Sequence, residues 1–224
     1  VPDAPPPAPS ALPALPELDP EAPLSERLVQ AALRLLAEEG IEALTLRTLA
    51  RRAGVSHGAP ARHFRSLKDL RAEVAAHGFR LLSEAIEKCG APLPPDAAPR
   101  ERLRAAARAY VACALANPGL FALMFRTGDL DPSNASFARD SSAAFERLLD
   151  HVRAAQAAGW HPDRDARLLA GSLWASVHGL ATLWAQGAFQ GPVPHASLED
   201  AIATTLELVD ADPQPTRPPP GETR

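Results

Sequence analysis

Residues 45–64 run TLRTLARRAGVSHGAPARHF, from Thr45 to Phe64, and the order of residue types in this stretch decides the architecture. Thr45 is an N-cap residue. Leu46, Leu49 and Ala50 behind it form the buried face of a helix of about two turns, too short to persist unless packed. Gly54 comes four residues after Ala50. A small residue where two helices touch, followed by a glycine able to take a left-handed turn, is the spacing of a helix-turn-helix. Val55 fills the corner, and Ser56 is expected to cap a second helix beginning at His57. Pro60 then falls within that helix's first turn, where proline is tolerated.

Upstream, Leu24 and Val29 flank Ser25 as a hydrophobic staple would, with Ser25 as N-cap. Leu28, Ala32, Leu35 and Leu36 continue as a helical stripe that Gly40 ends, with Ile41 packing behind it. Downstream, Ser66-Leu67-Lys68-Asp69 is a capping box opening a helix to about Cys89. Gly90–Pro99 is a linker with four prolines. Further helices are expected over about Arg100–Ala116, Leu120–Arg126, Asn134–Ala158, Asp163–Ala188 and Ser197–Val209. Alanine and leucine favour helix, and no run of alternating β-branched residues reads as strand. The fold class is therefore all-α with about nine helices, a three-helix head on a helical bundle. The expected divisions are a Pro-rich disordered tail at 1–23, the head at 24–70, the bundle at 71–211 and a second tail at 212–224.

Charge agrees with this division. The 224-residue chain carries a net charge of −4, but Leu24–Lys88 holds 11 Lys and Arg against 8 Asp and Glu. A mildly basic head on an acidic body suits a nucleic-acid partner. In a helix-turn-helix the second helix enters the major groove with its N-terminal residues at base edges. Here those are His57 and Gly58, the glycine having no side chain to hold the backbone off DNA, with Ser56 as the cap and Arg62 and His63 following. Arg47 can reach a base or phosphate, and Lys68 stands at a helix N-terminus suited to phosphate. The alternative reading of these basic residues is a solvated face of an ordinary bundle.

Taken together, Thr45…Leu49-Ala50…Ala53-Gly54-Val55-Ser56-x-Gly58…His63-Phe64…Lys68-x-Leu70 resembles the TetR/AcrR family signature. The resemblance implies a repressor that binds a palindromic operator as a dimer and releases it when a ligand enters the C-terminal domain. It also implies DNA contacts at Thr45, Arg47, His57, Gly58, His63 and Lys68. Ala61 departs from the family, which usually has Tyr there, so one contact is missing.

The C-terminal half supplies sensing and dimerisation. Leu168–Ser197 contains no Asp, Glu, Lys or Arg. Its Ser172, Ser176, His178, Thr182 and Gln186 argue for a helix buried against a partner chain rather than a membrane span. Gly171, Ala175 and Gly179 form a small-residue stripe beside Trp174 and His178. Trp174-x-x-x-His178-Gly179 resembles the WHG C-terminal domain of one branch of the family. That implies a four-helix dimer interface with Gly171, Ala175, Gly179, Leu183, Leu198, Ile202 and Leu206. A pocket within the bundle would be lined by Tyr110, Cys113, Phe121, Met124, Phe125, Phe145, Leu149, Trp174 and His178. Gly119–Phe125 is the leading element, since a Met/Phe-rich segment lines adaptable cavities. An apolar or aromatic effector follows. His178 reads either as a ligand contact or as a hydrogen-bonded core residue.

Cys89 and Cys113 sit in unrelated contexts, so neither a disulfide framework nor a metal site is expected, and a cytoplasmic protein is the simplest reading. No nucleophile–base pair or phosphate loop appears, so neither catalytic residues nor a cofactor are expected. The partners expected are double-stranded operator DNA, a second copy of the chain and a small effector, with no membrane. The rival classes are a helical protein–protein module and a small-molecule enzyme.

Overall fold

The computed structural model describes residues 19–91, 93–94 and 96–210. Eight α-helices follow one another: α1 (Leu24–Glu39), α2 (Leu46–Arg52), α3 (Leu67–Gly90), α4 (Pro99–Ala116), α5 (Pro118–Met124), α6 (Ala135–Ala157), α7 (Ala166–Ala185) and α8 (Leu198–Asp210). Three short 3-10 turns cover Ile41–Ala43, Pro60–Arg62 and Thr127–Asp129. Among the described residues there is no strand. Most of the expected N-terminal tail and all of 212–224 lie outside the described residues.

Local cap chemistry sets most boundaries. Thr45 Oγ1 accepts from Thr48 N at 3.1 Å and starts α2. The end of α2 is closed twice: Gly54 N donates to Arg51 O at 3.2 Å, and Val55 N donates to Ala50 O at 2.9 Å. That pairing needs a left-handed residue between them, and Gly54 supplies it at φ +67°. Arg27 of α1 donates to Ala53 O at 3.4 Å, placing a cation at the negative end of α2. Ser66, Asn134 and Ser197 each accept from the amide three residues on, at 3.1, 2.9 and 3.0 Å, and open α3, α6 and α8.

Three expected boundaries are corrected. α1 starts at Leu24, with Pro23 rather than Ser25 at the cap, because Pro23 O accepts from both Glu26 N and Arg27 N. α7 is capped by Asp165, whose carboxylate accepts from Leu168 N at 2.7 Å, and not by Asp163. It ends at Ala185, because Gly187 turns left-handed at φ +69° and lets Ala188 N reach back to Leu183 O.

The largest correction falls between α2 and α3, and accounts for eight helices where about nine were expected. Ser56 opens no α-helix. Counted from Ser56, Pro60 is the first position whose amide would bond back to the cap carbonyl, and proline has no N–H. Ala59 N takes the Ser56 carbonyl instead, at 3.0 Å, and the chain continues as a 3-10 turn. Gly58 adds a further helix penalty of about 1 kcal/mol.

α3 is the axis of the molecule. It packs against α1 in the head and against α4, α5 and α6 in the body, while α7 bridges α4, α6 and α8. One continuous apolar core runs through both parts, from Leu28, Leu35 and Leu49 to Val74, Val111, Leu123, Leu149 and Val152, all of them fully buried. α7 is long and apolar enough to cross a membrane by length and composition. In the fold it is one layer of the bundle, with Ala170, Leu173, Val177, Leu180 and Ala181 buried against its neighbours.

Candidate nucleic-acid interface and effector site

The eight head residues singled out from the sequence, Thr45, Arg47, Ser56, His57, Gly58, Arg62, His63 and Lys68, lie on α2, on the turn that follows it, and on the first turn of α3. All eight are exposed. Pro60 and Phe64 point the other way and anchor that turn to the head. Ala61 is exposed as well.

The basic residues of this surface divide into two groups. Arg52 is paired with Glu38 and Glu39 of α1. Arg65 is paired with Asp69 at 3.2 Å and Asp131 at 3.1 Å. The Lys68 ammonium donates to Gly128 O at 2.8 Å, so this side chain is turned toward the body and away from the posture expected of it. Arg47, Arg51 and Arg62 carry no ion pair among the described residues. Their charge is uncompensated, which is what a phosphate backbone requires.

A polar cluster joins head to body just behind this surface. Asp69 accepts from Arg65 N at 3.0 Å, from the Arg65 guanidinium and from Asn134 Nδ2 at 2.9 Å. The Arg65 guanidinium beside it holds the Asp69 carboxyl down to about 2. Asp131 N donates to Lys68 O at 3.2 Å, and Arg71 faces Asp129 at 3.7 Å. Apart from the local Arg65–Asp69 pair, these partners are separated by about sixty residues of sequence, and nothing local in either segment announces the pairing.

In the body, five of the expected pocket residues form one cluster. Tyr110 of α4, Phe121 of α5, Phe125 at the end of α5, and Trp174 and His178 of α7 meet ring to ring. His178 stacks on Phe121 at 5.1 Å and meets Phe125 edge-on at 4.6 Å. Phe145 lies at the margin, 6.3 Å from Trp174 and beneath Arg167. Phe79 of α3, which the sequence reading missed, is 5.6 Å from Phe125. Its place on the buried face of α3 marked it only as core.

The remaining pocket candidates are placed differently. Leu149 is fully buried core. Met124 turns to α3, where a Cβ on Gly78 would come within 2.6 Å of its sulfur. Burial pushes the Cys113 thiol up to about 11, so it stays protonated and unreactive.

The polar atoms of the cluster form a directed chain. The Trp174 indole N–H donates to the Tyr110 oxygen at 3.0 Å. The Tyr110 hydroxyl lies 2.8 Å from His178 Nδ1, and Tyr110 is only 8 % exposed. A phenol that only accepted would leave its own proton unpaired at a cost of about 1–3 kcal/mol. The satisfied arrangement has Tyr110 donating to Nδ1, which puts the imidazole proton on Nε2. Burial pushes the His178 pKa below the usual histidine range and keeps the ring neutral.

The cluster is not sealed, since Trp174 is 38 % exposed and Phe125 and His178 are half-buried. A cleft elsewhere, between Leu103, Trp160, Leu173 and Leu206, holds about 10 Å3, roughly the room one water needs. An effector would enter the aromatic cluster by moving side chains.

On the outer face of α7, Leu168, Ala175 and Leu183 are exposed, and Cβ atoms on Gly171 and Gly179 would meet nothing within 4 Å. Two residues expected at the interface face inward within the single chain. Ile202 and Leu206 are 4 % and 6 % exposed and face this chain's own core, because α8 packs that side onto α7. Leu198 is half-buried, and Leu208 is the apolar residue that α8 exposes, at 74 %.

An exposed basic head, built from α2 and the turn after it, on a helical body is the architecture of a DNA-binding regulator. Two family profiles agree. The one described as "Bacterial regulatory proteins, tetR family" matches residues 28–74, and "Tetracyclin repressor-like, C-terminal domain" matches residues 103–206. The chain belongs to the TetR family, and is a DNA-binding transcriptional regulator rather than an enzyme.

Among solved structures, it is similar to a protein of unknown function from Rhodococcus sp. RHA1, with 32% identity, a TM-score of 0.72, and coverage of 85% of this chain and 95% of that one. The TetR family regulator PfmR from Thermus thermophilus shares the fold at 22% identity and a TM-score of 0.60, covering 82% and 97%. BioQ, solved with its natural double-stranded DNA operator, shares it at 23% identity and a TM-score of 0.57, covering 84% and 98%. No curated protein matches the chain in sequence.

Proposed function

We propose that this regulator is a repressor that binds a palindromic operator as a homodimer in the bacterial cytoplasm, and is released by a small apolar or aromatic effector. The DNA half of the reading rests on the three uncompensated arginines of the exposed surface formed by α2 and the turn after it, Arg47, Arg51 and Arg62, with His57, Gly58 and His63 beside them. BioQ's complex with its operator supports the same use of the fold. The effector half rests on the aromatic cluster and on the position of α5. One side of this short helix sends Phe121 and Phe125 against His178. The other sets Leu120 and Met124 against Gly78 of α3, and Gly119 against the backbone of Leu36 in α1. An effector that moves the two phenylalanines therefore pushes on both helices that carry the head. Two recognition elements must sit about one helical turn of DNA apart to read successive major grooves, so a tilt of a few ångströms weakens binding if the effector prefers the tilted state.

The test is binding of the purified protein to DNA from upstream of its own coding region, across a salt series. Specific binding to an inverted repeat is expected. Arg47→Ala and Arg62→Ala should each weaken it, and a substituted phosphate contact should lower the salt slope by about one. Binding without sequence preference, or variants that bind as the parent does, would return these residues to a solvated surface.

A further inference from the structure

The aromatic cluster carries more chemical detail than a general apolar site. The Trp174–Tyr110–His178 chain is saturated at every atom except one. Trp174 gives its only proton to Tyr110, and Tyr110 gives its own to Nδ1. The Nε2–H of His178 has no partner among the described residues. It is a single oriented donor on a half-buried ring, open to solvent, with Phe121 stacked on the imidazole and Phe125 steeply inclined to it.

Phe125 differs from the other rings. It is the C-cap of α5, just outside the helix, and only half-buried. Its ring touches Phe79, Phe121, Trp174 and His178, which come from three helices of the fold. A side chain at a helix end can swing out at little backbone cost. The space it leaves is the size of one aromatic ring, bordered by four others, with the His178 ring centred 4.6 Å away.

We propose that the effector is a neutral aromatic carbonyl compound, whose ring takes the place of the Phe125 side chain and whose carbonyl oxygen accepts from His178 Nε2. The inference rests on reading this cluster as the effector site. Neutrality follows from the surroundings. A carboxylate here would need a cation, and Arg167, which lies over Phe145 at the margin of the cluster, already pairs with Glu146 at 2.6 Å. An uncharged imidazole can satisfy one acceptor but cannot offset a buried anion. A plain hydrocarbon would fill the ring site and make no use of the donor. Displacing Phe125 also bears directly on the end of α5, so the same event that binds the ring moves the helix that abuts α1 and α3.

The experiment uses the full-length 15N-labelled protein and follows the Trp174 indole N–H resonance, assigned with Trp174→Phe. The probes are toluene, acetophenone and benzoate. Acetophenone should shift the Trp174 resonance and bind about fivefold or more tighter than toluene, the worth of one ordinary hydrogen bond. Benzoate should bind weakest. His178→Leu should erase the preference for acetophenone while keeping toluene binding, and His178→Gln, which restores an N–H donor, should recover part of it. Phe125→Ala should bind toluene and acetophenone more tightly than the parent, since no ring need be displaced.

Equal affinity for toluene and acetophenone would overturn the carbonyl assignment and leave an aromatic effector standing. Tightest binding by benzoate would overturn neutrality. If no probe moves the Trp174 resonance in either the parent or Phe125→Ala, the effector reading of the cluster falls with it. The three-probe comparison on the parent and Phe125→Ala decides the matter even if the His178 variants do not fold.

Discussion

Single residues carry the head–body junction, and two glycines on it should respond differently to the same change. A Cβ on Gly119 would stand 3.0 Å from the Leu36 carbonyl oxygen, a backbone atom held inside α1. A Cβ on Gly78 would stand 2.6 Å from the Met124 sulfur, 2.8 Å from its Cγ and 3.2 Å from Leu120 Cδ1, all side-chain atoms, and the methionine is flexible enough to turn aside. Gly119→Ala should therefore destabilise by about 1–3 kcal/mol, as overpacking does. Gly78→Ala should come out within about 1 kcal/mol of the parent, since the mid-helix gain of alanine over glycine offsets the displaced methionine. Chemical denaturation of the two variants checks this, and equal losses would mean that Met124 is as rigid as backbone. Asp69 offers a test by pH. Its carboxyl is held down to about 2 by Arg65, whereas an unfolded aspartate titrates near ~3.9. A lowered folded-state pKa stabilises the fold fully above the unfolded value, and the gain is lost as pH falls toward the folded value. Asp69→Asn should cost about 1–3 kcal/mol near neutral pH, with the electrostatic share reduced because Arg65 is largely exposed. The gap in melting temperature between parent and variant should narrow from pH 7 to about pH 3. A constant gap would assign the loss to packing alone.

At the scale of elements, the segment after α2 is the sharpest case. If the missing Pro60 amide is what keeps residues 57–63 from forming an α-helix, Pro60→Ala should restore one. The Cα chemical shifts of His57–Arg62 should then move to helical values, and a 3-10 pattern that persists would put the cause in Gly58 or in the packing of Phe64. The same segment explains how far the sequence could be read. Cap and turn chemistry is local, so Thr45, Gly54, Ser66, Asn134 and Ser197 were legible as boundaries, each satisfied within five residues of itself. Proline's tolerance in a first turn was the wrong rule for Pro60, because it holds only for positions whose amides have no intrahelical partner. The aromatic cluster was half legible. Tyr110, Phe121, Phe125, Trp174 and His178 stood out by type, but their hydrogen-bond order and the addition of Phe79 depend on how distant helices pack. Ile202 and Leu206 were placed at an interface by resemblance, and a resemblance does not say which side of α8 packs onto its own chain.

For the whole molecule, the open question is what meets the outer face of α7, and the fold makes it testable without disturbing the chain itself. Leu168, Gly171, Ala175, Gly179 and Leu183 follow one another at helical spacing along this face. Leu168 is 71 % and Leu183 46 % exposed. The glycines have open space outside them, which would let a second helix approach closely. In a lone chain Ala175→Arg should be nearly silent, within about 0.5 kcal/mol, because the side chain extends into solvent from a helix that tolerates arginine well. Across a two-fold axis the same change sets two guanidinium groups against each other in an apolar seam, where an unpaired charge is costly. The parent should therefore run at twice the 23.7 kDa chain mass in light scattering, and Ala175→Arg at the chain mass. Its melting temperature should become independent of protein concentration where the parent's rises with it. Loss of the dimer separates the two heads, so operator affinity should collapse in Ala175→Arg, although Arg47, Arg51 and Arg62 are untouched and weak, salt-sensitive binding to unrelated DNA persists. A variant that stays dimeric would move the interface off this face of α7. A monomer that still holds the operator tightly would show that one head suffices, and release by changing head separation would then have nothing to act on.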